Sequence, residues 1–144
     1  MQYVEIKISE LIGKPLDWAV AKCEYPDQTV WIYKGAIWFD PFGVFNPSVN
    51  PVQGYPIIER ENITIIRAND EYVSGKRIPN WFAETDKCVG HSVTTSCNHE
   101  QFDPCFMISE EGGYYGSTLL VAAMRAYVGS KFGDVVKIPQ ELLQ

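Results

Sequence analysis

The segment STLLVAAMRAYVGSKF, residues 117–132, constrains the fold of this chain more than any other. Leu120, Ala123, Met124, Tyr127 and Val128 recur at helical spacing, Ser117 or Thr118 supplies a cap, and Gly133 follows as a terminator. A helix with such an apolar stripe has to bury it against a second layer. Strand-like segments supply that layer. YVEIKI alternates with Val4, Ile6 and Ile8 on one face, TVWIY and AIWF flank Lys34-Gly35 as a hairpin, and ITIIR, WFAET, HSVTTSC and DVVKIP carry further extended character. PLDWAVAKCE reads as a second, shorter helix, with Pro15 at its first position and Leu16, Ala19, Val20 and Cys23 on its apolar face. The expected class is α+β: an antiparallel sheet with one short N-terminal helix and one longer C-terminal helix packed on it. At 144 residues, 1–144 is expected to form a single domain able to bury a core without metals or disulfides.

Between Asp40 and Pro56 the chain is punctuated by Pro41, Gly43, Pro47, Pro51, Gly54 and Pro56, and a long surface loop is expected there. PIIERE follows as a turn of helix, and DEYVSGKRIPN reads as a polar connection.

A net charge of -6 and the lack of any basic run argue against duplex nucleic acid as a partner. The N-terminal stretch MQYVEIKISELIG has neither a basic nor an apolar leader pattern, and no segment is apolar enough to span a bilayer, so the expected setting is the cytoplasm, away from membranes. Aromatic residues make up 13% of the chain; most are expected in the core, with a minority left to line a ligand site.

Two constellations carry possible chemistry. KCVGHSVTTSCNHEQFDPC holds Cys88, His91, Cys97, His99 and Cys105. These residue types suit zinc, but their spacing is not the paired CxxC signature, and the expectation is separate thiols and no metal or other cofactor. Zinc and a disulfide stand as the alternatives. The second constellation, EEGGYYGSTLL, leads Gly112, Gly113 and Gly116 into the cap of the long helix. Free N–H donors at a helix start attract anions, so Tyr114, Tyr115, Gly116, Ser117 and Thr118, with Arg125 behind them, form a candidate anion site. The loop residues Phe45, Pro47, Ser48, Gly54 and Tyr55, with Trp81, are the candidate complement to it. The alternative is that the glycines simply make the turn into the helix.

Three blocks, ELIGKPLDWAVAKCE, FNPSVNPVQGYPIIERENI and GYYGSTLLVAAMRAYVGSKFGDVVKIPQELL, resemble the NinX-type proteins of lambda-like bacteriophages and prophages. The resemblance implies an accessory, early-region protein in the host bacterial cell, dispensable for virion assembly, with a small helix-and-sheet fold and no catalytic residues to carry over. The family tends to have Gly-Gly-Pro where this chain has Gly54-Tyr55-Pro56, which speaks against a role needing bare backbone at Tyr55.

The first functional expectation is a non-enzymatic binding protein for a small anionic ligand such as a nucleotide-derived immune signal, a counter-defence sponge working as a homo-oligomer. The alternative is a protein-interaction module acting on a host or phage protein, with or without structural zinc. An enzyme, a hydrolase using His91 or His99, comes third.

Overall fold

The computed structural model describes residues 2–39, 43–85, 93–97, 104–108 and 113–144, with side chains at 39, 93–97 and 104–108 outside the description. The order is β1 (Tyr3–Lys7), α1 (Gly13–Glu24), β2 (Trp31–Tyr33), β3 (Ala36–Phe39), β4 (Gly43–Val44), α2 (Pro51–Arg60), β5 (Thr64–Arg67), β6 (Glu71–Val73), β7 (Lys76–Ile78), β8 (Trp81–Glu84), β9 (Val93–Cys97), β10 (Pro104–Ile108), β11 (Gly113–Gly116), α3 (Leu119–Phe132) and β12 (Val135–Pro139). The class is α+β, as the residue patterns imply, and the long C-terminal helix is present.

All strand pairs among the described residues are antiparallel. They form not one sheet but several small ones: β1–β12, β2–β3–β4, β11–β8–β5, and the hairpins β6–β7 and β9–β10. The layer that organises them is α3. It packs against β8, β11 and α1, with α2 also in contact. Its burial exceeds a stripe: Leu120, Val121, Ala122, Ala123, Met124, Ala126, Tyr127 and Val128 are all buried, so the helix is enclosed by neighbours on most sides. Its alanines let those neighbours approach closely. Leu16, Ala19, Val20 and Ala21 of α1 join the same core, with Ile8, Ile37, Ala83 and Ile138.

Two local features differ from the sequence expectation. The second half of the Asp40–Pro56 stretch is helical, because Asn50 accepts the Val52 N–H at 3.0 Å and Pro51 occupies the first helical position, where a missing N–H costs nothing. Pro56 does interrupt the ladder within α2, but burial of Ile57 against the core holds the helix through it. The connection DEYVSGKRIPN contains a hairpin, with Ser74 (φ 52°) and Gly75 (φ 78°) in the left-handed conformations of a tight two-residue turn. The expected hairpin at Lys34 (φ 50°) and Gly35 (φ 72°) has the same geometry.

Candidate functional site

The glycine-rich segment before α3 is a strand rather than an open loop. β11 pairs with β8 in the register Tyr114↔Ala83 and Tyr115↔Phe82. Its glycines serve close packing: a Cβ on Gly116 would lie 2.5 Å from the Ala122 backbone nitrogen, and the Tyr114 ring is so close to Gly129 that a Cβ there would meet it at 2.4 Å. The Tyr115 ring lies 4.9 Å from that of Phe82, and the Tyr114 hydroxyl reaches Asp134 at 3.3 Å. Trp81 lies under the Arg67 guanidinium, 5.3 Å from its ring centroid.

The donors expected to face an anion are engaged within the fold. Thr118 is the cap of α3, its hydroxyl accepting the Val121 N–H at 3.1 Å, while its carbonyl accepts the Ala122 N–H at 3.1 Å. Arg125 turns back toward the chain, Nε donating to the Leu11 carbonyl at 2.7 Å and Nη1 to the Tyr115 carbonyl at 2.6 Å. Burial lowers its pKa, yet two carbonyl partners hold the cation in place. Arg125 thus ties the turn before α1 to β11. Ser117 is exposed beside the cap.

Phe45, Pro47, Ser48, Gly54 and Tyr55 form a separate cluster around the start of α2. Gln53 clamps the approach, its Oε1 accepting the Asn46 N–H at 2.7 Å and its Nε2 donating to the Val44 carbonyl at 2.9 Å. Gly54 sits where a Cβ would come within 2.6 Å of Leu120 and 2.7 Å of the Pro47 carbonyl, so α2 and α3 meet at this glycine. Asp17 of α1, only 3% exposed, accepts the Ser48 N–H at 2.8 Å. Burial pushes its carboxyl up from 3.8 to about 6, with the bond from the Ser48 N–H opposing the shift. Tyr55 is exposed on α2, so its side chain is accommodated without displacing a neighbour.

Phe45 also borders a cavity of about 420 Å³ with Tyr25, Val52, Pro56, Glu24 and Arg60. Its charged end is closed by a bidentate pair: both Arg60 nitrogens donate to Glu24, and the Tyr127 hydroxyl lies 3.3 Å away. The pair raises the Arg60 pKa, and burial raises that of Tyr127. This cation is therefore compensated before any ligand arrives. Cys23, on the core-facing side of α1 as its helical position implies, is a free thiol pushed up to about 12 by burial. Cys88, His91 and His99 lie outside the described residues, and Cys97 and Cys105 are described only as backbone, Cys97 opposite Pro104 and Cys105 opposite Ser96.

The most conspicuous surface is on the β2–β3–β4 sheet. Alternation turns Ile32 and Ile37 inward and leaves Trp31, Tyr33, Trp38 and Val44 on the outer face. The register puts Trp31 opposite Trp38, and Trp38 opposite Val44, so these side chains form a row across all three strands. Trp31 is 61% exposed, Tyr33 59% and Trp38 38%. Edge-on packing of Tyr33 and Trp38, 6.4 Å apart, and a 3.3 Å bond from the Trp38 indole N–H to the Tyr33 carbonyl hold the face together. The alternation within TVWIY and AIWF, joined by a two-residue turn, contained this arrangement.

A family model described as bacteriophage P22, NinX, matches residues 7–131. The chain belongs to the NinX family. The match takes in α1, α2 and nearly all of α3, the elements that build the core. A search of curated proteins finds no match. No helix among the described residues of this NinX-family chain is long and apolar enough to cross a membrane.

Proposed function

We propose that this NinX-family chain is a non-enzymatic phage accessory protein that docks an extended, acidic segment of a partner protein on the outer face of β2–β3–β4. The observation that carries the proposal is the exposed in-register row of Trp31, Trp38 and Val44 with Tyr33 beside it. Aromatic residues concentrated in one solvent-facing patch mark interaction surfaces far more often than scattered ones do. The charge at its rim supports an acidic occupant. Lys34 Nζ lies 5.5 Å from the Tyr33 ring centroid, Lys14 Nζ lies where a Cβ on Gly35 would come within 3.0 Å, and neither lysine has a carboxylate partner among the described residues. Among the described residues β2 also forms one edge of its sheet, a position at which an extended strand can pair.

A small anionic ligand held by Tyr114, Gly116, Thr118 and Arg125 has less support, since Thr118 caps α3 and Arg125 donates from Nε and Nη1 to the Leu11 and Tyr115 carbonyls. The test is a photo-crosslinking residue placed at Tyr33 in phage-infected cells, with the exposed Tyr72 as the control position. An adduct specific to position 33, mapping to an acidic segment of a different protein, is expected. No adduct specific to that position, or adducts only with a second copy of this chain, would overturn the proposal.

A further inference from the structure

A cavity of about 390 Å³ opens between the start of β1, the middle of α1 and the turn into β2. Its size falls within the range of small-molecule sites. Trp18, 8% exposed, forms the floor, and Tyr3, 52% exposed, forms a wall, their ring centroids 6.2 Å apart and tilted by 52°. Lys22 stands one helical turn beyond Trp18, its Nζ 6.0 Å from the Trp18 ring centroid. Asp27, Gln28 and Thr29 complete the polar side.

What separates this cavity from the one beside Arg60 is the state of its polar groups. Arg60 is neutralised by Glu24, whereas Lys22 makes no ion pair and the side chains of Asp27, Gln28 and Thr29 make no hydrogen bond among the described residues. Thus the Lys22 ammonium stands over the aromatic floor, and the exposed Asp27, Gln28 and Thr29 form a polar rim around it.

We infer that this cavity binds a nucleoside monophosphate. A planar base stacks on Tyr3 above the Trp18 floor, an arrangement tolerant of base identity because every base has a π-face. The phosphate takes a charge-assisted bond from Lys22 Nζ. Asp27 is acceptor-only when ionised and so calls for hydroxyl or amino donors, which a ribose or an exocyclic amine supplies and a simple aromatic acid does not. The site is independent of the β2–β3–β4 outer face, since only the inward-facing Ile32 of that sheet borders it.

The test is titration of the full chain with AMP, GMP, CMP and UMP, followed by calorimetry and by the ¹⁵N–¹H resonance of the Trp18 indole. Saturable binding of at least one of them, with the Trp18 resonance moving, is expected. Lys22→Ala and Tyr3→Ala should each weaken it by about tenfold or more, while Tyr3→Phe, which keeps the ring, retains it and controls for folding. The parent nucleoside without phosphate should also bind about tenfold more weakly. No saturable binding of any of the four at millimolar concentration, or binding unchanged by Lys22→Ala, or binding that leaves the Trp18 resonance in place, would overturn the assignment.

Discussion

Replacing Asp17 by asparagine should remove a stability penalty that grows with pH. Asp17 is buried in α1, and its carboxyl is pushed from 3.8 to about 6, chiefly by desolvation, with the bond from the Ser48 N–H opposing. A raised carboxyl pKa means that the folded chain holds the proton more tightly than the unfolded one. Below 3.8 the group is protonated in both states and its environment costs little; as pH rises through about 6 it ionises in the folded state and the burial penalty is fully expressed. At about 1.4 kcal/mol per pH unit, the displacement corresponds to about 3 kcal/mol. The amide of Asp17→Asn would keep an acceptor for the Ser48 N–H without the charge. Urea unfolding of both chains from pH 4 to pH 8 isolates this group, because every other titration cancels in the difference. Wild-type stability minus that of Asp17→Asn should fall by about 2.4 kcal/mol over that range, the remainder lying below pH 4, with most of the change between pH 4 and 6. A difference that is flat, or that rises with pH, would refute the assignment of desolvation as the dominant effect.

Gly116→Ala should destabilise by about 1–3 kcal/mol in the same assay, since the new methyl would press on the Ala122 backbone, which cannot rotate away. Gly54→Ala should cost a similar amount through contact with the Pro47 carbonyl, whereas Tyr55→Ala, one residue on and exposed, should change stability little. Thr118→Ala should cost about 1 kcal/mol by uncapping α3, and Thr118→Ser should restore most of it.

Local chemistry was the legible part of this chain. α1 and α3 announced themselves through apolar spacing, and the β2–β3 turn through Lys34-Gly35. The β6–β7 turn used the same device at Ser74-Gly75 but was masked by polar flanks. The end of α2 was legible as the helical turn PIIERE, but its first half was hidden because the closely spaced Pro51, Gly54 and Pro56 read as loop punctuation. Only the Asn50 cap and the anchoring of Ile57 against the core turn that segment into a helix, and the second of these is a tertiary effect. The same holds for the proposed anion loop. That Gly113 and Gly116 belong to a strand pressed against Phe82 and α3, and that Arg125 is consumed by the Leu11 and Tyr115 carbonyls, depends on partners distant in sequence. The outer aromatic face was only half legible: alternation puts Trp31, Tyr33 and Trp38 on one side of the hairpin, but not whether that side faces core or solvent until the other is known to hold the inward-turned Ile32 and Ile37.

The docking claim rests on those rings being spared by the fold and needed for function. Its most direct test is the affinity of the purified, crosslink-identified partner for the wild-type chain and for Trp31→Ser/Trp38→Ser, measured alongside thermal unfolding of both. With Trp31 61% and Trp38 38% exposed, the double variant is predicted to stay folded, its unfolding temperature lowered only by loss of the Trp38–Tyr33 contact, while affinity falls by about a hundredfold, the scale of losing paired aromatic anchors. Unchanged affinity in a well-folded double variant would contradict the account.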